Sequence, residues 1–298
     1  MAYSKSVLIV GGSGFIGTHL AMKLRDGYKV FATYNTKSLA IPGVTFLPMN
    51  ITNQNLVKRI AYTAQPDVII YTAGSNNFEI AENEPRKAER LHTGGPAAVS
   101  NATEIFQPKF IYLSNSYIFD GNKGNYRETD TVLPFTAIGK AKLGGENYIR
   151  GRSLNYIILR LSPVIGRGNG KNISFLDHLR IKLDHRERVE FLGNQIHSYI
   201  DIYSVINTIL HLIEGGPKNK ILHFGGLTKL TDYEFAQSFA KRFVYPKELI
   251  TLRQSSQQKK SSDAVINDFS LNSTQISETM NIKSLLLEES FDLLEKNL

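Results

Sequence analysis

Residues 7–17 read VLIVGGSGFIG, and this run limits the possible folds more than any other stretch of the chain. Val7, Leu8, Ile9 and Val10 are apolar and strand-prone, and they lead straight into Gly11, Gly12, Gly14 and Gly17. The spacing predicts an apolar-periodic helix from Phe15 to about Arg25. A strand that turns through glycines into a helix brings backbone N–H groups and the positive end of the helix dipole close to an anion. With the strand before and the helix after, the arrangement fits the first βαβ unit of a dinucleotide-binding sheet. Gly11, Gly14 and Gly17, with Phe15 and Ile16 at the helix start, form the candidate diphosphate cradle.

The following 140 residues or so keep the same rhythm. Strands are predicted at Val7–Val10, Lys29–Thr33, Val44–Leu47, Val68–Thr72, Phe110–Leu113 and Tyr156–Leu161. Helices are predicted between them at Gln54–Thr63, Arg86–Phe106 and Lys140–Arg150. Short apolar strands alternating with amphipathic helices indicate an α/β fold with a doubly wound parallel sheet of Rossmann type. After Ser162 the pattern changes. Gly166–Gly170 reads as loop, with a helix at Phe175–Lys182, a strand at Val189–Leu192 and a helix at Ser204–Glu214 capped by Ser204. A strand at Ile221–Phe224 and a helix from the Thr231/Glu234 capping box to Phe243 follow. Ser255–Ser262 reads as a polar loop. The expected division is 1–162, with 201–224 returning to it, and a smaller interleaved C-terminal domain from 163–200 and 225–298.

The chain has 298 residues, no cysteine and a formal net charge of +8. Disulfides and thiolate metal sites are excluded, and no metal site is expected. The basic residues are scattered and do not alternate with aromatics, so nucleic acid is not an expected partner. No apolar run suits a signal peptide or a membrane span, so a cytoplasmic location is expected, with no membrane partner.

The second strand speaks to the cofactor. A Rossmann site for NAD usually places an Asp or Glu after this strand, on the ribose 2′-hydroxyl. No acidic residue occurs between Gly27 and Pro66. The strand runs instead into Tyr34-Asn35-Thr36-Lys37-Ser38, in which Lys37 and two hydroxyls suit a 2′-phosphate. NADP is therefore expected in preference to NAD.

Several stretches together resemble the extended short-chain dehydrogenase/reductase family, in its dTDP-4-dehydrorhamnose reductase-like branch. They are GGSGFIG at 11–17, PDVIIYTAGSNNFEIAENEP at 66–85, YLSNSYIFDGNKGNYRETD at 112–130 and PFTAIGKAKLGGE at 134–146. The same motifs are similar to the regulatory beta subunit of methionine adenosyltransferase, which binds the cofactor without reduction being its main role. The resemblance implies a nucleotide-sugar 4-keto reductase of carbohydrate biosynthesis, acting alone, as a homodimer or beside a partner enzyme. It places Asn50, Ile51, Ala73 and Gly74 along the cofactor. Asn76, Ser116, Tyr117 and His197 are placed at the substrate.

The same alignment marks a damaged reaction centre. In such reductases a tyrosine protonates the substrate oxygen, and a lysine four residues later lowers the tyrosine's pKa and holds the ribose. Lys142 is that lysine, but Ile138 stands at the tyrosine position. No Tyr-x-x-x-Lys occurs anywhere in the chain. The usual Ser or Thr hydroxyl is replaced by Asn115, the family's asparagine in the helix after the fourth strand by His92, and an Arg-Pro pair by Val265-Ile266. Ser116, Tyr117, His197 or a water held by Lys142 are the candidate substitute donors. Two readings stay open: an NADP(H)-binding reductase relative with weak or altered chemistry, and a regulatory pseudo-reductase that binds cofactor or nucleotide sugar without catalysis.

Overall fold

The apolar runs of the first half become strands of one sheet. The computed structural model describes residues 5–75, 78–171, 173–253 and 266–296. Strands β1 (Ser6–Val10), β2 (Lys29–Tyr34), β3 (Val44–Pro48), β4 (Val68–Tyr71), β5 (Lys109–Asn115) and β6 (Tyr156–Leu161) join the later strand Lys220–Phe224. Their order in the sheet is Lys220–Phe224, β6, β5, β4, β1, β2, β3. β1 pairs in parallel with β2 and β4, β2 with β3 and β4 with β5. The chain reverses its winding direction between β1 and β4, and sheets of this kind bind ligands in the crevice beyond the strand ends at that point. Val7, Ile9 and Val10 are wholly buried, as expected of a strand covered on both faces.

Helices α1 (Phe15–Leu24), α2 (Gln54–Ala64), α3 (Phe78–Asn83), α4 (Pro85–Glu89), α5 (Gly95–Thr103) and α6 (Ala137–Arg152) connect the strands. α2 is opened by Asn53, whose side chain accepts from Leu56 N at 3.1 Å, and closed by left-handed Gln65 just before Pro66. α6 starts earlier than its apolar pattern suggests, because Thr136 caps it by accepting from Gly139 N at 3.0 Å.

The single helix expected over 86–106 is interrupted. Between α4 and α5 the chain widens into a π-turn, Arg90–Gly94, in which Gly95 N bonds to Arg90 O. That shift releases the Leu91 carbonyl, and Pro96, which has no N–H, cannot bond to the His92 carbonyl. Two buried tyrosines take these places. Tyr71 Oη donates to Leu91 O at 2.7 Å and Tyr112 Oη to His92 O at 2.8 Å. Burial pushes both phenols well above their ordinary pKa, so they remain donors.

Two compact units divide the chain: Met1–Phe119, Val132–Arg160 and Ile206–Leu222 form the first, and Asp120–Thr131, Leu161–Val205 and His223–Leu298 the second. Residues 120–131, expected in the first, therefore lie in the second. Backbone bonds hold them there: Tyr126 N donates to Ser270 O at 2.9 Å and Asn272 N to Tyr126 O at 2.8 Å. In the second unit Ser174/Asp177 and Thr231/Glu234 form capping boxes on the helices Phe175–Asp184 and Asp232–Arg242. Phe235 stacks on Tyr199 at 4.3 Å in its core. The helix expected to begin at Ser204 spans Ile202–Gly215, and Asp201 takes the capping role. Its carboxylate accepts from Ser204 N at 2.8 Å and from Ser204 Oγ at 2.7 Å. A charged acceptor at the helix start outcompetes a neutral hydroxyl there. The loop expected at 255–262 lies outside the described residues.

Candidate functional site

The turn after β1 is held from three sides. Gly11 adopts φ +89°, and a Cβ there would lie 2.7 Å from Ala73 Cα and N. A Cβ on Gly17 would lie 2.2 Å from Gly11 O and 2.7 Å from Gly12 Cα, so α1 starts directly against the turn. Gly14 caps α1 without a side chain, and the first turn carries no acid. That leaves the positive end of the helix uncompensated by the chain itself. Phe15 and Ile16 are half-buried at this helix start.

Two threonines, missed in the sequence, lock the turn. Thr33 Oγ1 accepts from Gly11 N at 3.0 Å, and Thr72 Oγ1 donates to Val10 O and Gly11 O at 3.0 and 3.1 Å. The available signal was a hydroxyl at the end of each flanking strand. Beyond β2, Tyr34 is half-buried and Thr36, Lys37 and Ser38 are exposed. Asn50 is exposed and accepts from Thr52 N at 3.0 Å and Thr52 Oγ1 at 2.8 Å, while Ile51 is buried. Ala73 follows β4 beside Gly11. Gly74 lies against the His92 ring, which a Cβ would meet at 2.2 Å. Asn76 lies outside the described residues.

The second group lies on α6, the π-turn and the end of β5. Lys142 is 6% exposed and donates to Leu113 O at 2.8 Å. Burial lowers its ammonium to about 7, against the pull of the Glu146 carboxylate. Glu146, fully buried, is held by Arg160 through Nη2 at 2.7 Å and Nε at 3.0 Å. His92 is buried, and its Nε2 lies 3.0 Å from Ser75 O. A carbonyl only accepts, so Nε2 carries the proton, and Nδ1 has no hydrogen-bond partner among the described residues. Burial first, then the Lys142 charge, lower this imidazole to about 3, so it stays neutral.

Ile138, one turn before Lys142, is wholly buried. It packs with Ala81, Ala88 and Ala141, with half-buried Tyr117 against them. Asn115 accepts from Tyr117 N at 3.2 Å and caps the short 3₁₀ turn Ser116–Ile118; Ser116 is buried. Tyr117 also meets the Phe78 ring at 5.9 Å. Thus Lys142, Asn115, Ser116, Tyr117 and Ile138 converge around α6 and the β5 end. His197 belongs to the second unit, where its ring is 1% exposed, stacked on Phe269 at 5.8 Å and edge-on to Tyr199. So enclosed, it packs the core there. Among the described residues no group of three or more His, Asp or Glu side chains could hold a metal ion, and no helix is long and apolar enough to cross a membrane.

The Lys142 environment has a measurable consequence. Below about pH 7 the lysine is charged in both folded and unfolded chains, and folding carries the full cost of burying it. Between pH 7 and its ordinary value near 10.5 only the unfolded chain holds the proton, so stability rises with pH. Urea unfolding is expected to show wild type gaining roughly 1–3 kcal/mol relative to Lys142→Met between pH 7 and 9.5. Equal pH slopes for the two proteins would refute this.

A glycine-turned β1–α1 junction at the reversal point of a doubly wound sheet defines the Rossmann class of dinucleotide-binding proteins. The chain belongs to the RmlD substrate binding domain family, whose family model matches residues 5–289. It is 31% identical over 252 residues to dTDP-4-dehydrorhamnose reductase of Aggregatibacter actinomycetemcomitans, covering 82% of this chain and 81% of that one. It is 25% identical over 252 residues to methionine adenosyltransferase 2 subunit beta of Bos taurus, covering 82% and 73%. The crystal structure of dTDP-4-dehydrorhamnose reductase from Bacillus anthracis str. Ames, in complex with NADP, has the same fold, with a TM-score of 0.83 over 99% of both chains at 20% identity.

Proposed function

We propose that this chain binds NADP(H) on the Gly11–Gly17 turn, accepts a nucleotide-linked sugar, and lacks the tyrosine-dependent keto reduction of its relatives. The observation that carries this reading is Ile138: a wholly buried apolar side chain one turn before Lys142, where the reductase pattern needs a phenol. The cradle fits the cofactor, because the positions closest to the turn have no side chain and would clash if they did. Gly11, Gly14 and Gly17 would face the diphosphate, and Thr36, Lys37 and Ser38 the 2′-phosphate. Ala73, Gly74 and Ile51 would line the path, with Asn50 at the adenine. Bound NADPH supplies a hydride to a carbonyl carbon. The chain's own task would be to give the resulting oxygen a proton, and Ile138 has none to give. Asn115 can donate an N–H to that oxygen without surrendering a proton. Loss of a positioned general acid lowers the rate by ~10²–10⁴-fold.

The decisive assay pairs a fluorescence titration with NADPH and turnover of a dTDP-linked 4-keto sugar. Binding with turnover far below that of a family reductase supports the reading, and efficient turnover by wild type overturns it. Tyr117 is the hydroxyl-bearing side chain packed against the Ile138 cluster. If residual turnover disappears in Tyr117→Phe, that hydroxyl is the substitute donor. The similarity to a methionine adenosyltransferase subunit favours a second reading, in which the chain regulates a partner enzyme and reduces nothing. Complete absence of turnover with intact NADPH binding selects it.

Lys37 tests the choice of cofactor. Lys37→Ala is expected to weaken NADPH roughly tenfold and leave NADH unchanged, since the side chain would meet only the 2′-phosphate. Equal losses for both coenzymes would remove Lys37 from that role.

A further inference from the structure

A cavity of about 450 Å³ opens within the second unit, a volume typical of small-molecule sites. Ser198, Asn272, Ser273, Thr274, Ser277 and Ser284 line it. Each of these side chains can both donate and accept. Ser198 Oγ is already paired with Ser162 Oγ at 2.8 Å and Ser273 Oγ with Gly225 N at 2.9 Å, so Asn272, Thr274, Ser277 and Ser284 are the groups that face a ligand. Ser284 is 6% exposed, and its hydroxyl has no hydrogen-bond partner among the described residues. A buried hydroxyl left in that condition is unfavourable until something completes its bonding.

The charges at the cavity do not ask for an anion. Lys229 lies 3.3 Å from the Asp268 carboxylate and Lys283 lies 3.8 Å from that of Glu289. Glu278 adds a carboxylate to the lining. Leu227, 57% exposed, and buried Leu271 supply apolar surface beside the hydroxyls. Gly226, also in the lining, packs its backbone directly against Tyr199, whose carbonyl oxygen a Cβ would meet at 2.1 Å.

We propose that this cavity binds a neutral polyhydroxylated ring, a saccharide unit, independently of the cofactor cradle. Ring hydroxyls pair with Thr274, Ser277, the amide N–H of Asn272 and the Ser284 hydroxyl. The ring's C–H face rests on Leu227 and Leu271. Such a ligand matches groups that each donate and accept, and it brings no charge to the Glu278 carboxylate.

The test is an NMR titration of the full isotopically labelled chain with D-glucose, D-galactose, L-rhamnose and, as a control, inorganic phosphate. At least one sugar should give saturable shifts confined to residues 225–229 and 271–284, and phosphate should give none there. Ser277→Phe places a large group at an exposed position of the cavity wall and should abolish the shifts. Ser284→Ala should weaken binding roughly 2- to 10-fold. NADPH binding should be unchanged in both variants, which separates this site from the proposed cofactor function. Absence of shifts with all three sugars, phosphate shifts at the same residues, or sugar binding that survives Ser277→Phe would each overturn the proposal.

Discussion

Ile138→Tyr combined with Asn115→Thr is expected to raise turnover of a dTDP-linked 4-keto sugar by ~10²–10⁴-fold, the usual contribution of a positioned general acid. The first substitution returns a phenol one turn before Lys142, whose charge, held below about pH 7, would favour the phenol's ionised form. The second returns a hydroxyl at the end of β5. Threonine can still cap the 3₁₀ turn that Asn115 now caps by accepting from Tyr117 N at 3.2 Å. The exchange has a cost: Ile138 is fully buried beside Ala81, Ala88 and Ala141, and a larger ring there overpacks the cluster by roughly 1–3 kcal/mol. Thermal unfolding should therefore accompany the kinetics. Ile138→Phe, which adds the bulk without the hydroxyl, should lose stability and gain no activity. Equal rates in the phenylalanine and tyrosine variants would show that the missing phenol is not what limits reduction.

Gly17→Ala is expected to reduce NADPH affinity by more than about 100-fold, because both nearest atoms to the new methyl group are backbone. At 2.2 Å from Gly11 O and 2.7 Å from Gly12 Cα, the turn must open and its N–H groups must lose their common focus. Gly27→Ala provides the comparison, since a Cβ there meets nothing within 4 Å. It should leave affinity unchanged. Calorimetric titration of the two variants reads the difference directly, and a Gly17→Ala protein that binds as wild type would remove the turn from the cofactor site.

How much of this was legible follows the reach of each interaction. The β1 run and its glycines are local features, and the turn they form needs only Thr33 and Thr72 from neighbouring strands. The hydroxyls at the two strand ends were visible in the sequence, but their role in the turn was not, because it depends on sheet order. Thr231/Glu234 could be read as a helix start because both partners lie within one turn. Ser204 misled because the Asp201 carboxylate beside it is the stronger acceptor. The interruption at Arg90–Gly94 depends on Tyr71 and Tyr112 reaching two carbonyls from β4 and β5. No periodicity within 86–106 carries that information. The second unit's strands are two or three residues long, too short for an alternating pattern to stand out. Lys142 and Ile138 were legible as positions, whereas the Leu113 carbonyl that holds the lysine and the alanines that enclose the isoleucine appear only in the fold.

We propose an intact dinucleotide cradle joined to a helix that carries Ile138 where the reductase pattern has its phenol. Isothermal titration of the full chain with NADPH and NADH tests it most directly. The expected result is saturable one-site binding of NADPH, with NADH weaker by roughly the contribution of the Lys37 contact. Failure of both coenzymes to bind would mean that the Gly11–Gly17 turn holds no dinucleotide.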